Sequence, residues 1–165
     1  APDMLLREKL IGFQREIAEL KRISNEQQEA AEQREQDLLL GLFEVLDAFD
    51  NLGKNIRGKE DRLEKSGQRF VRNTWAVQRK LLRMLRSCHI EPLKFPDNKA
   101  RIEQCKIIAT RNDPARENEE IISVEKTGYM DMERKRVLRK AEVVTVYNDA
   151  PPMLAVYSPD DSEDS

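Results

Sequence analysis

Few side chains in this chain have the types and spacing that reactive chemistry needs. The sole histidine, His89, follows Cys88, and a thiol–imidazole pair is the usual seed of nucleophilic catalysis. Here the stronger reading is structural, with Cys88 on the apolar face of a helix and His89 just past its end. The second cysteine, Cys105, stands 17 positions on, a spacing that fits no zinc motif and is too sparse for a disulfide framework. Glu119 and Glu120 adjoin in a turn-like surface stretch, not as opposed carboxylates. A phosphate loop, a Gly-x-Ser-x-Gly elbow and a His/Cys metal cluster are all missing. The expectation is therefore a non-enzyme with no catalytic residue, metal or cofactor.

One pattern does suggest binding. Seven basic residues and no acid lie between Lys65 and Ile90. Lys65, Arg69, Arg72, Arg79, Arg83 and Arg86 form one helical stripe, suited to nucleic acid or to an acidic protein surface. The bland reading is a solvated face, partly neutralised by Glu26, Glu29, Glu32 and Glu35. Base-stacking aromatics are scarce, which favours the bland reading.

The elements that must position these residues follow from the prolines and the apolar periods. Between Pro2 and Pro92 there is no proline, so nothing there breaks a helix by ring clash. Leu6, Leu10, Phe13, Ile17 and Leu20 step by four and three, the seam of a coiled coil. Ser24, Gln27, Ala31 and Arg34 continue its register in polar form. Leu38, Leu42, Val45, Phe49 and Leu52 resume it, widened by Leu39 and Leu46. A helix over 3–52 would be about 75 Å long, and a chain of 165 residues cannot cover both ends. The seam predicts a homodimer with parallel long helices. Gly53 and Gly58 bracket a connector to a second helix over 59–87, with the stripe Leu63, Phe70, Thr74, Val77, Leu81, Met84, Leu85 and Cys88. Doubled by symmetry, the two helices form a four-helix bundle.

Beyond Pro92 the reading is α+β, with a small C-terminal antiparallel β domain. Strands are expected over 106–110, 121–126 and 137–147, the second ended by Thr127, Gly128 and Tyr129. In the last, Val137, Arg139, Ala141, Val143 and Thr145 share one face. The organisation is a long coiled-coil helix over 1–37, a bundle and dimerisation region over 38–91, a β domain over 92–149 and a disordered acidic tail over 150–165. With 29 basic and 31 acidic residues and a net charge of −2, a globally basic nucleic-acid protein is disfavoured. The mean hydropathy of −0.73 accords with extended, well-solvated elements. No apolar run is long enough to span a membrane, and residues 1–3 look like a trimmed end instead of a signal peptide.

Three stretches carry a resemblance. Gly128-Tyr129, a turn, and residues 136–146 (Arg-Val-Leu-Arg-Lys-Ala-Glu-Val-Val-Thr-Val) resemble the Gly-Tyr…Arg-x-x-Arg-x-Ala-x-Val-x-Val motif of the GrpE family. Residues 42–50 (Leu-Phe-Glu-Val-Leu-Asp-Ala-Phe-Asp) are similar to that family's Leu-Leu-Pro-Val-Leu-Asp-x-Leu-Asp/Glu. Leu81-Leu82 through Ile90-Glu91-Pro92-Leu93 is similar to the end of its second bundle helix. Glu44, Asn73, Cys105 and Lys140 depart from the family pattern, as a divergent member would.

The resemblance implies a cytoplasmic, stress-related co-chaperone that binds the ATPase domain of a DnaK-type chaperone and promotes ADP release. It implies partner contacts at Asn51, Lys54, Asn55, Asn73, Arg136 and Arg139. It also implies that the long helix acts as a temperature sensor. The seam and bundle residues Leu6, Leu10, Phe13, Ile17, Leu20, Leu42, Val45, Phe49 and Leu81 are the expected dimer interface. The alternatives are a structural coiled-coil tether and a nucleic-acid binder using the basic helix face.

Overall fold

A computed structural model describes residues 1–149; the expected acidic tail lies outside them. Two helices (α1, Pro2–Ile56; α2, Lys65–Ser87) precede six strands: β1 Ile90–Pro92, β2 Cys105–Arg111, β3 Ile121–Lys126, β4 Tyr129–Asp131, β5 Arg136–Arg139 and β6 Ala141–Val146. The architecture is α+β. The chain forms two compact units, Ala1–Thr74 and a second beginning at Trp75.

In the first unit, α1 is unbroken for 55 residues, a rod of about 80 Å. Pro2 sits in its first turn, where a missing N–H costs nothing, and Lys54 favours the negative end of the dipole. The helix passes through Gly53, expected to start the connector, because one glycine in a last turn costs only about 1 kcal/mol. The break comes at Arg57, whose ψ of 124° is extended. Gly58 follows at φ +77°, a left-handed position that glycine occupies without strain. A 3₁₀ turn over Glu60–Arg62 fills the connector, so α2 starts at Lys65 instead of 59.

The buried apolar side chains of this unit are Phe43, Leu46 and Val71. The seam residues are exposed: Leu6 71%, Leu10 57%, Phe13 60%, Ile17 52% and Leu20 58%. Between them and the apolar stretch at Leu38 the helix is held by local polar pairs. Arg22 bridges Glu19 and Glu26 one turn to either side. The guanidinium holds the Glu19 carboxyl below its usual range, and the two carboxylates raise Arg22 further. Glu26 thus pairs within its own helix. Gln28 donates to Glu32 at 3.1 Å and Gln33 to Asp37 at 2.8 Å. Such exposed pairs resist fraying only weakly. We therefore expect amides over 21–37 to exchange with solvent before those of β6. Hydrogen exchange finding both equally protected would refute this.

The second unit carries two three-stranded sheets, with orders β1-β4-β5 and β2-β6-β3. The first is antiparallel. The second is mixed, since β2 runs parallel to β6 while β3 runs antiparallel to it. The small antiparallel β domain expected from the sequence is present, with one parallel pairing added, that of β2 with β6. The single strand expected over 137–147 is corrected: it breaks at Lys140, and its halves join different sheets. The expected alternation of faces fails in β6, where Val143, Val144, Thr145 and Val146 are all buried. A central strand covered on both sides reads as a continuous apolar run. Tyr129, expected among the residues that end the strand over 121–126, opens β4. Cys105, Ile121, Ala141 and Val143 form a core on which Phe95 and Ala100 pack.

Candidate functional site

The six residues expected to touch a partner divide between the units. Asn51, Lys54 and Asn55 are exposed in the last turns of α1, and their i, i+3, i+4 spacing puts them on one helical face. Asn73 is exposed on α2. Arg136 and Arg139 lie in β5, at opposite ends of one four-residue strand.

The two arginines have different surroundings. Arg136 is exposed and opposes Asp131 across the β4–β5 pair. The turn between them is built by Asp131, whose side chain accepts the N–H groups of Glu133 and Arg134, both at 3.0 Å. Lys135 closes it at φ +50°. Arg136 is thus presented at the root of a rigid, charged turn. Arg139 is half-buried. Its Nε and Nη2 both donate to the Thr127 carbonyl, at 3.1 and 2.6 Å. Its guanidinium lies 5.4 Å from the centroid of the Tyr129 ring, within cation–π range. Tyr129 itself is 2% exposed. Arg139 therefore ties the β3–β4 connection to β5.

Other candidates resolve simply. Cys88 is exposed beyond the end of α2, not on the apolar face expected for it, because the helix stops at Ser87. His89 takes a positive φ of 60° there and accepts the Met132 N–H through its carbonyl, which joins the helix end to the β4–β5 turn. Cys105 is buried, and burial pushes its thiol up, away from the reactive thiolate. All six arginines and lysines of the basic stripe are exposed, and Arg86 sits 3.7 Å from Glu91. Among the described residues, no group of three or more His, Cys, Asp or Glu could hold a metal ion. None of their helices is long and apolar enough to cross a membrane.

One positioning residue escaped the sequence reading in its structural role. Gly128 lies so close to Ala141, Leu93 and Arg139 that no side chain fits. Its place in a Gly-Tyr pair was the available signal.

A long helix with an exposed apolar seam precedes a unit that carries two small sheets. The GrpE family model matches residues 5–147. The chain belongs to the GrpE family, whose members are non-enzymatic co-chaperones that act as nucleotide exchange factors of DnaK. No curated protein matches it.

Proposed function

We propose that this chain is a homodimeric nucleotide exchange factor, which binds the ATPase domain of a DnaK-type chaperone in the cytoplasm and promotes ADP release. The observation that carries this reading is the extent of the family match, which runs through the long helix, α2 and all six strands. The proposed parts are the coiled-coil helix over 1–37, the dimerising bundle over 38–91 and the β domain over 92–149.

The mechanism needs no covalent chemistry. An ATPase domain closed over ADP is in equilibrium with an opened form. A factor that binds the opened form better shifts the population and lowers nucleotide affinity. Each tenfold loss of ADP affinity requires about 1.4 kcal/mol of differential binding. Rigidity serves this purpose, because a compliant surface would follow the domain as it closes. The two sheets and the Arg139–Thr127 tie supply stiffness in the β unit. The direct test is the release of a fluorescent ADP analogue from a DnaK-type chaperone. Release unchanged by this protein would sink the proposal.

Within this reading Arg136 is a partner contact, and Arg139 serves mainly to position β5. An exposed guanidinium at a rigid turn suits a partner carboxylate. Arg136→Ala is expected to leave the melting temperature unchanged and to weaken chaperone binding by about 1–3 kcal/mol. Arg139→Ala is expected to lower the melting temperature of the β unit by about 5 °C, since it loses a half-buried tie worth about 1 kcal/mol. Calorimetric titration alongside thermal melts separates the two. If Arg136→Ala binds like the parent while its stability falls, the roles are reversed.

A further inference from the structure

The charge of α2 is one-sided. Its 23 residues carry lysines and arginines and no acid. Lys65, Arg69, Arg72, Arg79, Arg83 and Arg86 follow at steps of four and three, with Ala76 in the one gap. At about 100° per residue they keep to one side of the helix, and Lys80 flanks them. Every one of these cations is exposed. The buried residues of the helix, Val71 and Leu85, lie on its other side.

Little within the chain neutralises this face. Among the described residues, Arg86 is the one stripe member with a carboxylate in ion-pair range, Glu91 at 3.7 Å. Glu26, an expected counter-charge, is bonded to Arg22 of its own helix. Like charges three and four positions apart on a helix repel one another. A polyanion laid along the stripe relieves that repulsion.

We propose that this face of α2 binds double-stranded DNA through its phosphates, without reading sequence. Three observations select this partner. First, the stripe holds no large apolar side chain, whereas a protein interface has an apolar core depleted in charge. The exposed apolar residues of α2, Phe70, Val77 and Met84, lie about a third of a turn round the helix. Second, no aromatic ring interrupts the stripe. Single strands are held by stacking their bases on such rings, so the scarcity of aromatics that counts against base stacking leaves a duplex backbone untouched.

Third, the dimensions match. From Lys65 to Arg86 the stripe runs about 32 Å, close to one turn of B-DNA at about 34 Å. A helix about 10–12 Å across fits the major groove, about 12 Å wide, with phosphates on either rim. The deep, narrow major groove of an RNA duplex does not admit it.

The test titrates a fluorescent DNA duplex of about 20 base pairs with the full chain, by anisotropy, at salt from about 50 to 200 mM. With six phosphates contacted, log affinity is expected to fall against log salt with a slope of about −5. Arg72→Gln, Arg79→Gln and Arg83→Gln together are expected to reduce that slope by about three and to weaken binding by roughly tenfold or more. Glutamine favours helix as arginine does, so circular dichroism of this variant should match the parent. Arg7→Gln, Arg15→Gln and Lys21→Gln in α1 remove the same charge from another helix and are expected to leave the slope near the parent's. An RNA duplex, a single strand, poly-glutamate and vesicles of anionic lipid are expected to bind more weakly than the DNA duplex. No DNA binding at about 50 mM salt overturns the proposal. So does an equal loss in the two triple variants, which would make net charge the cause. Tighter binding of poly-glutamate, vesicles or RNA overturns it too, assigning the face to an acidic protein, a membrane surface or RNA.

Discussion

Gly128→Ala is expected to destabilise the β unit by about 3 kcal/mol or more and to lower its melting temperature by about 10 °C or more. A Cβ at this position would lie 2.5 Å from the Ala141 amide nitrogen, 2.6 Å from Leu93 Cδ1 and 2.8 Å from the Arg139 carbonyl oxygen. Leu93 is a flexible side chain and can yield. The other two atoms are backbone at the junction of β5 and β6, where the chain changes sheets. Moving them pulls apart the bond from the Ala141 N–H to the Gln104 carbonyl, at 2.9 Å. The Gly128 carbonyl also accepts the Leu93 N–H at 2.8 Å, so the glycine cannot simply back away. Thermal melts followed by a probe in the β unit measure the effect. Gly12→Ala is the contrast: nothing lies within 4 Å of that Cβ, and an alanine in mid-helix gains up to about 1 kcal/mol. If Gly128→Ala melts with the parent, the junction is looser than its geometry requires.

The second large effect is expected at the seam. Phe13→Asp combined with Ile17→Asp should convert the proposed dimer to a monomer and reduce the helix content of α1. Both side chains are more than half exposed in the single chain, at 60% and 52%. Fully burying such a side chain is worth roughly 1.5–3 kcal/mol, and a parallel partner buries each twice over. With that stripe charged, what remains over 21–37 is a set of exposed polar pairs, too weak to hold a rod of 55 residues. Sedimentation equilibrium and far-ultraviolet circular dichroism read the two consequences separately. A parent chain that is already monomeric at micromolar concentration refutes the dimer, and with it the assignment of Leu6, Leu10 and Leu20 to an interface.

Much of this was legible in the sequence because it is local. Helix periodicity and the absence of proline predicted α1 to within a few residues at either end. The run Ile121–Lys126 was readable as a strand from β-branched residues bounded by turn formers. The Gly-Tyr and Arg-x-x-Arg spacing pointed to the family.

What the sequence left open depends on residues far apart in the chain. Residues 136–146 alternate well enough to pass for one strand. Only the parallel pairing of β6 with β2 and the antiparallel pairing of β5 with β4 show that the chain changes sheets at Lys140. Strand pairing is a choice among distant partners, and no local period encodes it. β1 is three residues long, too short for any period, and exists because β4 supplies its bonds. Their places in the strand already set Arg136 and Arg139 apart, Arg136 opening it and Arg139 sharing a face with Val137 and Ala141, but did not give the groups that Arg139 meets. Tertiary structure supplies those groups, because only the fold brings Thr127 and the Tyr129 ring to Arg139.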